Sequence, residues 1–170
     1  MQTELFQLAE QSGHFLQRQN ALLAVAESCT GGLLSATITD VAGSSAWFER
    51  GFITYSNQAK IDLLGVSKHT LQQHGAVSTE TAQEMVTGVL QHSLAHLAIA
   101  VTGIAGPTGG SLDKPIGTVY IAWQWRNQPA VIQRQQFYGS RDMIRKQTVI
   151  TALEWILTTN LTRGGIAPSP

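Results

Sequence analysis

The chain has 170 residues, 43% of them apolar and only 13% charged, against about 25% charged in an average soluble domain. That length suits one domain and the apolar content excludes a disordered chain. Eleven basic residues against eleven acidic ones leave no electrostatic footprint for a nucleic acid or an anionic membrane.

The first segment, 3–19, places Leu5, Leu8, Phe15 and Leu16 at helical spacing and predicts an amphipathic helix. It carries no basic leader and no long apolar run, so a soluble, cytoplasmic protein is expected. Ala21–Ala26 predicts a buried strand, and Thr30–Thr39 a helix opened by Gly31 and Gly32. After a turn at Gly43-Ser44-Ser45, the β-branched and aromatic run Phe52–Tyr55 predicts a strand. Asn57 is the candidate N-cap of a short helix ending at Gly65. Ser67–His74 predicts a second short helix, and Ser78 or Thr79 caps a third running to about Leu94. Leu97–Val101 predicts another buried strand. Gly103–Gly117 is a loop with five glycines and two prolines. Thr118–Trp125 and Ala130–Phe137 predict a hairpin about Asn127, and Ser140 caps a last helix to about Leu157. Helices and strands alternate early and the hairpin comes late, which predicts a three-layer α/β/α sandwich around a mixed, mostly parallel central sheet. The domain is expected over 1–160, with residues 161–170 as a tail.

Four segments are candidates for chemistry. In Ala26-Glu27-Ser28-Cys29-Thr30-Gly31-Gly32 a strand runs into a polar turn and then a helix start. Backbone N–H groups at Thr30, Gly31 and Gly32 are placed to hold an anion or an oxyanion, and Ser28 is a nucleophile if a base lies nearby. The competing reading is that Ser28 or Thr30 only caps the helix. Cys29 is a rival nucleophile, more simply read as a small packing residue. It is also the sole cysteine, which excludes an internal disulfide and fits a reducing compartment.

In Tyr55-Ser56-Asn57-Gln58-Ala59-Lys60 the lysine falls in the first helical turn, where the helix dipole repels a cation and lowers its pKa. A neutral Lys60 is the base a Ser–Lys pair needs, and Tyr55 is placed to hydrogen-bond it. The alternative is a solvated surface lysine. Thr102-Gly103-Ile104-Ala105-Gly106 follows a buried strand, where α/β sheets commonly border a ligand crevice. Arg141 and Arg145 lie four apart near a helix start, an arrangement suited to phosphate or to ordinary surface pairing. His92 and His96 are also four apart but lack a third ligand, so no metal is expected. Glu27, beside Ser28, has no evident role.

Six blocks carry a resemblance: AESCTGG at 26–32, GSSAWFERGFITYSNQAKIDLLGV at 43–66, HGAVS at 74–78, AVTGIAGPTGG at 100–110, KPIGTVYIA at 114–122 and FYGSRDMIRKQ at 137–147. Together they resemble the C-terminal domain of the competence/damage-inducible family CinA, and within it the stand-alone members that act as nicotinamide-nucleotide amidohydrolases. The resemblance implies hydrolysis of the carboxamide of nicotinamide mononucleotide to nicotinate mononucleotide and ammonia, a step in pyridine nucleotide recycling. It implies Ser28, Tyr55 and Lys60 as the catalytic residues, with substrate along Thr102, Gly103, Ala105 and Gly106 and at Arg141 or Arg145. It implies no cofactor, and the neutral charge balance argues against a nucleic-acid partner. The ADP-ribose hydrolase activity of two-domain members is not expected. A homodimer is expected from the resemblance and from apolar Trp47-Phe48. Two other classes stay open: a non-catalytic nucleotide-binding module, and an interaction protein tied to competence or DNA damage.

Overall fold

The computed structural model describes residues 2–162. Helix α1 (Gln2–Arg18) buries Leu5, Ala9 and Leu16 along one side. Strand β1 (Leu23–Glu27) is buried throughout. Helix α2 (Leu33–Thr39) and a 3-10 turn (Ser44–Ala46) lead to β2 (Phe48–Ile53). Helices α3 (Asn57–Leu64), α4 (Lys68–His74) and α5 (Thr79–Gln91) precede β3 (Leu97–Gly103). Strands β4 (Thr118–Trp125) and β5 (Val131–Gln136) form the hairpin, and α6 (Arg141–Thr162) closes the described chain.

The sheet order is β2-β1-β3-β4-β5. β1 pairs in parallel with β2 and β3, whereas β4 pairs antiparallel with both β3 and β5. The mixed, mostly parallel sheet of a three-layer sandwich is therefore present, with β4 as the reversed strand.

The strand sequences explain the layers. Successive side chains point to opposite faces. Leu23 and Val25 of β1, Leu97, Ile99 and Val101 of β3, and Val119, Ile121 and Trp123 of β4 face α1, α2 and α6. The alternate residues Ala24, Ala26, Ala98, Ala100 and Ala122 face α5. Bulk lies on one face and alanine on the other, so α5 sits close to the sheet. Trp123 stacks on Trp155 of α6 at 4.9 Å, and its indole N–H donates to Ala152 O at 3.0 Å, which fixes α6 against β4.

Several boundaries differ from expectation. β2 covers Phe48–Ile53 rather than Phe52–Tyr55, because Thr54 and Tyr55 leave the sheet as the chain turns toward α3. β1 includes Glu27, and α2 starts at Leu33, leaving Thr30-Gly31-Gly32 as a turn. Ser78, not Thr79, caps α5, accepting from Thr81 N, and the helix ends at Gln91. The final helix runs on to Thr162, into the expected tail 161–170, and residues 163–170 of that tail lie outside the described residues. Trp47 is 1% exposed beneath Gly13 of α1, where a Cβ would meet the indole at 2.5 Å. That places it in the core and removes it as an argument for a subunit interface.

α3 rests on α5 through a glycine. A Cβ at Gly88 would fall 2.1 Å from the Leu64 carbonyl oxygen, an atom that moves only if the backbone moves. Gly88→Ala is expected to cost about 1–3 kcal/mol by overpacking. Urea unfolding followed by circular dichroism checks this; a midpoint equal to that of the parent chain would contradict the packing argument.

Candidate active site

The parallel strands β1, β2 and β3 end at one edge of the sheet. The connection after β1 packs on the α1/α2 face, and the connection after β2 crosses to β3 on the α5 face. A crevice opens where successive connections leave on opposite faces of such a sheet. The cavity found there has a volume of about 300 Å³ and is lined by Ser28, Lys60, Tyr55 and Arg141 together with Ala76, Val77 and residues of the 103–109 loop.

Lys60 is the unusual residue. Its side chain is 1% exposed and sits in the first turns of α3. The N-cap is Ser56, whose backbone is extended (φ −88°, ψ 161°) and whose hydroxyl accepts from Ala59 N at 3.0 Å. Asn57, the expected cap, is the first helical residue and lines the cavity, so Lys60 lies one position deeper than expected. Ser56 and Asn57 are both good cap residues, and only the backbone decides between them. The Lys60 amine donates to Thr54 O at 2.8 Å and to Ser28 Oγ at 3.0 Å. Burial lowers its pKa from 10.5 to about 8. Desolvation favours the neutral amine.

Ser28 follows β1 directly, is 8% exposed, and is anchored by its N–H to Val101 O at 3.1 Å. Cys29 beside it is buried, and that burial pushes its thiol up to about 11. Gly31 and Gly32 both adopt positive φ (57° and 100°), which lets the chain double back into α2. Their N–H groups are already engaged: Gly31 N donates to Ser28 O, and Gly32 N to the Glu27 carboxylate. Neither glycine nor Thr30 lines the cavity, which differs from the expected oxyanion site.

Sequence reasoning left Glu27 without a role. Its buried carboxylate accepts from the N–H groups of Gly32, Leu34 and Ser35 and from the Ser35 hydroxyl. The signal was its distance from the α2 start, which puts a carboxylate at a helix N-terminus. Thr54 and the Ala76-Val77 segment were also missed. Thr102 lines the cavity, but its hydroxyl donates to Ala76 O at 2.7 Å and so fixes that wall.

The two arginines separate. Arg141 lines the cavity, donating to Gly106 O at 2.8 Å and to Tyr55 Oη at 3.0 Å. Tyr55 is thus bonded to Arg141 rather than to Lys60 and is 62% exposed. Arg145 donates to Thr30 O at 2.7 Å behind the Ser28 turn and does not line the cavity. Gly103, Ala105 and Gly106 do line it. His92 Nδ1 donates to Gly88 O, and His96 Nδ1 accepts from Leu22 N, so both serve the backbone. Among the described residues no three His, Cys, Asp or Glu side chains gather as a metal site, and no helix is long and apolar enough to cross a membrane.

Fold and cleft together define an α/β domain with a ligand-sized cavity at the carboxyl ends of its parallel strands. The family model of the CinA C-terminal domain matches residues 5–160, and the chain belongs to that family. Among its relatives is a protein of Escherichia coli strain K12 named nicotinamide-nucleotide amidohydrolase PncC. It is 49% identical over 152 residues, covering 89% of this chain and 92% of the relative. A protein of the same name from Pseudomonas putida is 49% identical over 150 residues, covering 88% and 93%. The crystal structure of the competence/damage inducible protein CihA from Agrobacterium tumefaciens superposes with a TM-score of 0.88 at 45% identity, covering 92% of this chain and 96% of that one.

The Cys29 thiol, raised and buried, is expected to resist iodoacetamide in the folded protein at pH 8 and to take up one equivalent in urea. Mass spectrometry of both samples checks this. Rapid labelling of the folded chain would mean that the Ser28 turn is open to solvent.

Proposed function

We propose that this chain hydrolyses the carboxamide of nicotinamide mononucleotide to nicotinate mononucleotide and ammonia, with Ser28 as nucleophile and Lys60 as its base. One observation carries the reading: a buried lysine amine 3.0 Å from a serine hydroxyl on the wall of a ligand-sized cavity. The names of the relatives supply the substrate.

In the neutral amine the 3.0 Å contact reverses, and Ser28 Oγ–H donates to Lys60 Nζ. Nζ takes that proton as Oγ attacks the amide carbon. The carbonyl oxygen becomes an oxyanion, which we assign to backbone N–H groups on the cavity wall at Cys29, Ala105 and Gly106. The C–N bond breaks, Nζ returns the proton to the leaving nitrogen, and ammonia departs. An acyl ester on Ser28 remains. Water then attacks it, Nζ takes the water proton and passes it to Oγ, and the carboxylic acid is released.

Thr54 O accepts from the amine throughout and holds Nζ toward Oγ. Arg141 is the group for the substrate phosphate, since it lines the cavity and its guanidinium is bonded only to neutral acceptors. Tyr55 then orients Arg141 and not the base. That partner differs from the expected bond to Lys60.

Lys60→Ala is expected to lower kcat for ammonia release by about 10²–10⁴-fold. Turnover near the parent rate would remove lysine from the chemistry. Because the base must be neutral and its pKa is about 8, kcat/KM should rise with pH and level off above about 8. A flat profile from pH 6.5 to 9 would contradict that assignment. Arg141→Ala should lower kcat/KM for the mononucleotide about ten- to a hundredfold, the worth of a charged hydrogen bond. It should leave the phosphate-free riboside nearly unaffected; equal losses on both would mean that Arg141 does not read phosphate.

A further inference from the structure

The inference concerns Glu27 and rests on the Ser28–Lys60 reading above. Glu27 is 0% exposed and no cation pairs with its carboxylate among the described residues. The donors are neutral. Oε2 accepts from Gly32 N and Leu34 N, each at 3.0 Å, and Oε1 from Ser35 N at 2.8 Å and Ser35 Oγ at 2.7 Å. Every oxygen receives two donors, and neither meets an acceptor. All four contacts use the carboxylate as acceptor, at the start of α2.

The main chain of the same residue reaches the base. Glu27 O accepts from Thr54 N at 2.8 Å, and Thr54 O accepts from the Lys60 amine at 2.8 Å. Ser35, in turn, lies against β2: a Cβ at Gly51 would stand 2.5 Å from Ser35 Oγ. One residue therefore ties the end of β1 to α2 through its side chain and to the segment bearing the Lys60 anchor through its backbone. Ser28 is the next residue along.

We propose that the Glu27 carboxylate is a positioning residue, which clamps the turn after β1 so that Ser28 Oγ stays within proton-transfer reach of Lys60. It touches neither substrate nor the reacting atoms. Its effect passes through the turn, where a displacement of about 1 Å is enough to cost about a hundredfold in rate.

Glu27→Gln tests this with little change of shape. An amide must aim its own N–H₂ at a pair of N–H or O–H donors, so the cradle opens on that side. The measurements, on the full chain, are kcat and KM for ammonia release from the mononucleotide and the rate at which a fluorophosphonate labels Ser28. Glu27→Gln is expected to lower kcat about ten- to a hundredfold and to slow labelling in parallel, with KM within about threefold of the parent. Ser35→Ala removes one of the four donors and should move both readouts the same way by a smaller factor. Thermal unfolding shows which variants are folded at the assay temperature. A folded Glu27→Gln with parent kcat and parent labelling overturns the inference, as does a loss confined to KM. If Glu27→Gln does not fold, Ser35→Ala decides, and unchanged labelling there overturns it. Ser28→Ala is the separate control. Ammonia release surviving in that variant would overturn the Ser–Lys reading itself, whatever Glu27 does.

Discussion

A primary amine withdrawn from water either finds partners or gives up its proton. Lys60 finds partners, burial lowers its pKa to about 8, and much of the architecture around the cleft follows from that burial. The amine has one fixed acceptor, Thr54 O, and one exchangeable partner, Ser28 Oγ. Among the described residues no carboxylate lines the cavity to hold the proton in place. To reach this depth, α3 has to lie close to the sheet edge. The alanine face of the sheet and Gly88 of α5 let the supporting helices approach far enough. The desolvation of one side chain thus depends on the absence of side-chain volume elsewhere.

The turn after β1 shows the same economy. A helix N-terminus at the carboxyl end of a strand is a ready anion site, commonly filled by a ligand. Here the chain fills it with Glu27, which consumes the N–H groups of Gly32, Leu34 and Ser35. Under the proposed function, a ligand's anionic group would then be met elsewhere, and among the described residues the charged donor on the cavity wall other than Lys60 is Arg141.

Much of the fold could be read from local pattern, because buried runs and glycine-rich turns are local signals. Strands β1, β3 and the first strand of the late hairpin followed from buried apolar runs, whereas β2, Phe-Glu-Arg-Gly-Phe-Ile, carries charged residues in its middle and was expected to start four residues too late. The site was harder. Ser28 and Lys60 announced themselves by odd placement, a serine in a strand-to-helix turn and a lysine in a helix's first turn. Their 3.0 Å contact depends on how β1, β2 and α3 come together, and no sequence window contains that. Tyr55 was misread for a related reason. Its nearness to Lys60 in sequence suggested a bond, but β2 ends two residues earlier and the ring turns outward to meet Arg141, 86 residues away. Four-residue spacing put Arg141 and Arg145 on one helix face but not into one environment. One turn of α6 is enough to carry the second guanidinium from the mouth to the back of the Ser28 turn.

The balance of charge finally bears on how a ligand would be held. With acidic and basic residues in balance, the surface offers little long-range attraction. If the base must be neutral to act, Arg141 is the standing charge on the cavity wall among the described residues, and none of them pairs it with a carboxylate. Its two bonds, to Gly106 O in one loop and to Tyr55 Oη in another, cancel none of that charge and fix its direction. An anionic ligand would then be recognised at contact distance by a guanidinium already oriented. The side-chain entropy of holding it there is met during folding and not at the moment of binding.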